Sequence, residues 1–322
     1  MSKLGKNIKG RLYEYFKARL GMFDYRNGWM KGDCPDCGAH NKYGVNISHN
    51  RTNCFKCGYH ERPIYVVRMV ENFKGLSEVY NMLNAFDGFS FKETKVERIE
   101  RKPVILPEGF RLLNQGNSQM AKSARSYMKG RGFDIDKLSA KGFGYCTSGD
   151  YFGHIIMPFF AEGKMVYFHA RNFLNTGPKF NNPPMEEFGV GKSTLIYNQD
   201  ALFIYDRIFI VESVMNAETL EEAGTVLGGK KISNYQYSII VNSPVEKIVI
   251  LLDPDAYSEA LQLGMRLSNH KKVKVVLLPD DNDVNDIGRK KTLEYVREIP
   301  YENYNQLLLR KMAYERSQFT YH

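Results

Sequence analysis

Apolar residues recur at helical spacing from Ile8 through Leu12, Tyr13 and Phe16 to Leu20, which predicts a helix over 8–20. Residues 30–60 break that rhythm. They are rich in Gly, Asn and Cys and too polar to bury a core, so something other than apolar packing must hold them. The helical period returns from Pro63 to Phe86, with an interruption at Gly75. It lapses again from Asp87 to Lys102, where Lys92, Glu93, Lys95, Glu97, Arg98 and Glu100 crowd out apolar side chains. A charged stretch with so little to bury is expected to be a linker and a domain boundary.

Beyond Pro103, Ser118 to Arg131 reads as a basic helix closed by Gly132. His154–Phe160, a turn at Glu162-Gly163 and Met165–Phe173 read as a β-hairpin, and the polar run Asn175–Pro184 reads as a loop. From Arg207 the pattern changes to short, continuously apolar runs: Ile208–Val211, Val226-Leu227, Lys247–Leu252 and Val273–Leu278. Helical segments over Met215–Ala223 and Ser258–Ser268, and another after the fourth run, alternate with them. Apolar strands alternating with helices predict a parallel sheet covered on both faces. The residues from Tyr301 to His322 read as a short tail.

The polar stretch 30–60 contains its own solution. Cys34-Pro35-Asp36-Cys37 and Cys54-Phe55-Lys56-Cys57 are two C-x-x-C pairs separated by sixteen residues. That spacing is a zinc-ribbon pattern: each knuckle turns two thiolates inward, and two knuckles complete a closed tetrahedron around one structural Zn²⁺. Gly38 and Gly58 follow the pairs, where a tight turn favours a residue without a Cβ. His40 and His60 are expected to be surface residues, and the fifth cysteine, Cys146, a small buried side chain. An odd cysteine count disfavours a disulfide framework. Arg26, Trp29, Lys31, Lys42, Tyr43, Arg51, Phe55 and Lys56 mix charge and aromatic rings on the ribbon, as suits single-stranded nucleic acid.

Charge points the same way. Forty-five Lys and Arg against 36 Asp and Glu give a net charge of +9, which favours a polyanionic partner. No run approaches the ~20 apolar residues of a membrane span, and no signal-peptide core follows the N-terminus, so a cytoplasmic protein is expected.

Against this basic background the acidic residues are placed selectively. Glu212 ends one predicted strand, Asp253 and Asp255 end another, and Asp280, Asp281, Asp283 and Asp286 follow a third. Ligands of an open parallel sheet bind outside the carboxyl ends of its strands. Carboxylates delivered to one edge repel unless a cation sits among them, and Mg²⁺ takes oxygen ligands while keeping waters for substrate phosphates. A lone Asp-x-Asp is an ordinary solvated turn; three strand-end acidic positions in succession are the signal. Gly189-Val190-Gly191-Lys192-Ser193-Thr194 ends like a P-loop, but Glu186 occupies the first glycine position and no strand leads into it.

Glu212, Asp253-Pro254-Asp255 and Asp283 resemble the three motifs of a Toprim domain, found in bacterial-type primases, topoisomerases and some nucleases. The zinc ribbon is similar to that of the primase branch. So are Tyr127–Gly132, Gly142–Tyr145, Ile156–Phe159, Phe168–Arg171, Pro178–Asn182 and Leu195–Tyr197. The likeness extends over residues 30–295 and is closest to a bacteriophage DNA primase without a fused helicase. It departs at Ser213, where Gly is usual, at Asn216, where Asp is usual, and at Tyr257-Ser258, where Ala-Gly is common.

The resemblance implies an α/β chain, α+β overall, in five parts: a zinc-ribbon template-binding domain (1–86), a charged linker (87–107), a basic subdomain of the catalytic core (108–200), a Toprim subdomain (201–298) and a C-terminal tail (299–322). It implies a nucleotidyltransferase that makes short RNA primers on a single-stranded DNA template from ribonucleoside triphosphates, beside a replicative helicase, in a host cytoplasm if viral. Two or more Mg²⁺ or Mn²⁺ ions would be held by Glu212, Asp253, Asp255 and Asp283, with Asp286 a further magnesium ligand and Asp281 another choice for the third motif. Lys129, Arg131, Arg171, Lys179 and Lys192 would line the template and nucleotide path, and Lys230 and Lys231 could face a phosphate. The alternatives are a Toprim nuclease and a non-catalytic zinc-ribbon protein that binds single-stranded DNA.

Overall fold

The computed structural model describes residues 6–85, 102–161, 163–191, 193–227, 232–279 and 282–319. Most of the stretch expected to be a linker lies outside the described residues, as do Lys192, Lys230, Lys231, Asp280 and Asp281. The chain divides into two compact units. One comprises Met1–Lys95, Asp200–Arg207 and Ser243–Glu246, and the other Val96–Gln199, Ile208–Asn242 and Lys247–His322.

The first unit begins with α1 (Lys6–Leu20), which buries Ile8, Leu12, Tyr15 and Phe16. Tyr15 rather than Tyr13 joins this core, because the Tyr13 hydroxyl turns outward to donate to Asp24 at 2.6 Å. Four short strands follow: β1 (Phe23–Asp24), β2 (Met30–Gly32), β3 (Tyr43–Asn46) and β4 (Arg51–Cys54). They form an antiparallel sheet in chain order, with Tyr43 opposite Cys54. The helical stretch after Pro63 is α2 (Pro63–Val70) and α3 (Leu76–Ala85), parted near Gly75 as the periodicity predicts.

The second unit contains two sheets. β5 (Phe110–Leu112), α4 (Gln119–Gly130), α5 (Ile135–Ala140), β6 (Gly144–Cys146), β7 (His154–Ala161) and β8 (Lys164–Asn172) build the first. Its strands run antiparallel in the order β5-β6-β7-β8. Ser118 starts α4 by accepting the Ala121 amide, as an N-cap should. Two single-turn helices come next, α6 (Met185–Phe188) and α7 (Ala201–Ile204). α7 belongs to the first unit, where the Phe203 ring meets that of Tyr80 at 6.4 Å.

The last part alternates strands with helices, of which α9 and α12 were not expected from the sequence: β9 (Arg207–Val211), α8 (Val214–Thr219), β10 (Gly224–Val226), α9 (Asn234–Asn242), β11 (Lys247–Leu251), α10 (Tyr257–Leu267), β12 (Lys272–Val275), α11 (Val284–Glu298) and α12 (Tyr304–Phe319). The strand order is β10-β9-β11-β12, and β9 with β10 and β11 with β12 pair in parallel. Ile208, Ile210, Ile248, Val249 and Ile250 are fully buried, which is why these strands are apolar without alternation. The stretch read as a tail forms α12 and packs on α10. Among the described residues no helix is long and apolar enough to cross a membrane.

Candidate functional site

The four cysteines converge. Cys34 Sγ lies 3.9 Å from Cys57 Sγ, and Cys37 Sγ lies 3.8 Å from Cys54 Sγ. Four sulfurs about 2.3 Å from a tetrahedral Zn²⁺ stand about 3.8 Å apart, so the donors fit that ion without rearrangement. Each knuckle closes through a glycine in the left-handed region, Gly38 donating to the Cys34 carbonyl and Gly58 to that of Cys54. Burial opposes ionisation of Cys54, but the amides of Cys57 and Lys56 outweigh it and bring the thiol down to about 6. All four ligands come from the protein, leaving no open position, so this zinc-binding site is structural. Around it Phe55 and Tyr25 are exposed, with the Lys31 ammonium 4.8 Å from the Tyr25 ring, whereas Tyr43 is buried against Tyr59. His40 sits at the surface beside Asp33.

The strand-end carboxylates gather at the edge of the parallel sheet. Glu212 follows β9, and Ser213 caps α8 by accepting the Asn216 amide at 3.1 Å. Asp253 follows β11 and leads into a single 3-10 turn over Pro254–Ala256 that carries the exposed Asp255. Asp283 caps α11 reciprocally with Asp286: Asp286 N donates to Asp283 Oδ1 at 2.9 Å, and Asp283 N to Asp286 Oδ2 at 3.2 Å. Burial first, then the charges of Glu212, Asp283 and Asp255, push the Asp253 carboxyl up to about 6, with Lys179 opposing them. Glu212 Oε2 is buried with no hydrogen-bond partner. A cluster of mutually repelling carboxylates with an orphaned buried oxygen is the donor set that Mg²⁺ or Mn²⁺ takes. Among the described residues only the cysteines already stand close enough, three or more together, to share one ion.

Two further residues tie this edge together. Asn285 N donates to Asn216 Oδ1 at 3.2 Å, while its side chain donates to Thr219 Oγ1 at 2.9 Å and to the Arg131 carbonyl at 3.1 Å. Arg131 returns a bond to Asn285 Oδ1 at 3.1 Å. Asn216 is itself buried and its Nδ2 has no partner. The other is Tyr127, whose hydroxyl accepts from Arg171 Nε at 2.5 Å and whose ring faces the Arg131 guanidinium at 5.2 Å.

From there a track of alternating cations and rings leads toward the carboxylates. Arg171, buried on β8, lies 5.4 Å from the Phe180 ring, and the Lys179 ammonium lies 5.8 Å from the same ring. Phe180 is held opposite Arg171 by a β-bridge, so the predicted loop is pinned to the sheet at that point. Lys179 is exposed and close enough for its charge to act on Asp253. Lys129 is exposed in the last turn of α4, where its carbonyl accepts the Arg131 amide. Glu218 is not part of the acidic edge: it is buried between Lys141 at 2.6 Å and the Tyr197 hydroxyl at 2.6 Å. Cys146 is buried, and burial pushes its thiol up to about 12.

A four-cysteine ribbon, an antiparallel sheet and a parallel sheet with an acidic edge make up a fold shared with solved primase structures. Among solved structures, the chain is similar to the zinc-binding and RNA polymerase domains of the Aquifex aeolicus primase, at 16% identity and TM-score 0.50 over 93% of this chain and 87% of that one. It is similar also to the DnaG primase catalytic domain bound to single-stranded DNA (15% identity, TM-score 0.53, 62% of this chain and 77% of that one). The E. coli primase catalytic core is a third (15% identity, TM-score 0.51, 61% and 78%). At such identities the likeness shows the fold. No protein-family model and no curated protein matches the chain.

Proposed function

We propose that the protein is a DNA primase, joining ribonucleoside triphosphates into short RNA primers on a single-stranded DNA template. The observation that carries this reading is the carboxylate edge: burial first, then the charges of Glu212, Asp283 and Asp255, raise Asp253 to about 6. Such a cluster is costly to the folded protein unless a divalent cation neutralises it. In this reading the parallel sheet is a Toprim subdomain. Glu212, Asp253, Asp255 and Asp283 hold Mg²⁺ or Mn²⁺, and Asp286 serves mainly to cap α11. The bound metal would supply activation of a primer 3′-hydroxyl and stabilisation of the leaving pyrophosphate.

The chain's other groups prepare the reactants. Lys179, beside Asp253, meets the triphosphate of the incoming nucleotide, and Arg171 and Arg131 hold the nucleic-acid backbone through fixed positive charge. Phe180 and Tyr127 supply faces for stacking. The ribbon, with exposed Phe55 and Tyr25, reads the template strand. Likeness of fold to a primase catalytic domain bound to single-stranded DNA supports the choice of template.

The test is incubation of the full chain with single-stranded DNA, four labelled ribonucleotides and Mg²⁺, beside Asp253→Ala. Oligoribonucleotides that appear with the wild type and vanish in the variant are the expected result. Cleaved DNA in their place would establish a nuclease. DNA binding with neither product would leave a non-catalytic binding protein.

A further inference from the structure

The turn that carries Asp253 and Asp255 is anchored at both ends, and its far anchor lies in α12. At the near end Asp253 leaves β11, whose Ile248–Leu251 are buried in the sheet. After the 3-10 turn Pro254–Ala256 the chain enters α10 at Tyr257 and Ser258, and each of these side chains bonds to α12. The Tyr257 hydroxyl accepts from Arg310, which also donates to Glu302 and, at 3.1 Å, to the Val275 carbonyl on β12. Ser258 Oγ donates to Glu315 at 2.9 Å, and Lys311 pairs with the same carboxylate. The Tyr257 ring packs edge-on against Tyr314 with centroids 4.9 Å apart. Gly264 permits this close approach, since a Cβ there would meet Val275 Cγ2 at 2.7 Å and Leu307 Cδ1 at 3.3 Å.

Tyr257-Ser258 is also where the sequence departs from the Ala-Gly pair common in the family it resembles, and Ala-Gly could form neither side-chain bond. Asp255 is exposed on the turn between β11 and α10. We propose that α12 is a positioning element for this turn: through Tyr257 and Ser258 it holds Asp255 where it can share a divalent cation with Asp253. The inference rests on the reading of this edge as a metal site. It adds Tyr257, Ser258, Arg310 and Glu315 as positioning residues that touch neither metal nor substrate.

The double variant Tyr257→Phe/Ser258→Ala keeps the ring and the helix while removing both bonds. In the full chain, Mn²⁺ titration at pH 7.5 is expected to show affinity about tenfold weaker than wild type, the scale seen when outer partners of metal ligands are lost. Amide exchange across 253–258 should quicken, zinc content should stay the same, and excess Mn²⁺ should restore primer synthesis. Unchanged Mn²⁺ affinity overturns the proposal, as does a wild type that binds no Mn²⁺ at this edge. If the double variant loses its zinc or melts, Ser258→Ala alone carries the same comparison. A wild type that binds Mn²⁺ but makes no primer rejects the polymerase reading and leaves this inference to be decided by the affinities.

Discussion

Asp253 must lose its proton before a cation can take its oxygen. With the carboxyl raised to about 6, Mn²⁺ affinity is expected to fall about tenfold for each pH unit below that value. A titration series from pH 5 to 7.5 measures this, and a flat profile would contradict the shift. The effect on stability has a definite sign. The folded value lies above the ordinary ~3.9, so between the two the folded protein holds more protons than the unfolded chain. Metal-free protein therefore loses stability as pH rises through that window, and Asp253→Asn should raise its melting temperature at pH 7.5 while abolishing synthesis. Asp253 and the cysteines were legible in the sequence because their signals are local: a strand end followed by Asp-x-Asp, and paired C-x-x-C knuckles. Asn285 was not, because its partners Asn216 and Arg131 lie tens of residues away along the chain.

Among the elements, α11 shows how one side chain serves both fold and site. Asp283 caps the helix and faces Asp253 electrostatically. Asp283→Ala should cost about 1 kcal/mol of stability through the lost cap, whereas Asp283→Asn should keep most of the cap and lose the charge. Chemical denaturation of both variants, read beside their Mn²⁺ affinity, separates the roles; equal destabilisation would show that the cap is not what Asp283 provides. The alternating strands and helices after Arg207 were legible because buried parallel strands are continuously apolar. The helices α9 and α12 were not. α9 buries Gln236, whose amide donates to the Leu195 and Leu227 carbonyls at 2.6 Å each. α12 docks largely through Arg310, Tyr314 and Glu315 and buries Leu307, so neither helix shows a wide apolar stripe.

At the scale of the whole molecule the zinc-binding site and the carboxylate edge differ in kind. The ribbon's four thiolates form a closed set beside a small sheet that buries Met30, Tyr43 and Val45. The carboxylate edge is open, strained by like charge, and approached by a track of cations and rings. In the proposed function the ribbon takes the template and the carboxylate edge the chemistry. Comparing Cys54→Ser with Asp253→Asn in two reactions tests that division most directly: synthesis begun on bare single-stranded DNA, and extension of a preformed RNA primer. Cys54→Ser is expected to lose zinc and most initiation while retaining extension, and Asp253→Asn to lose both. Equal loss of both activities in Cys54→Ser, or extension surviving in Asp253→Asn, would contradict that division.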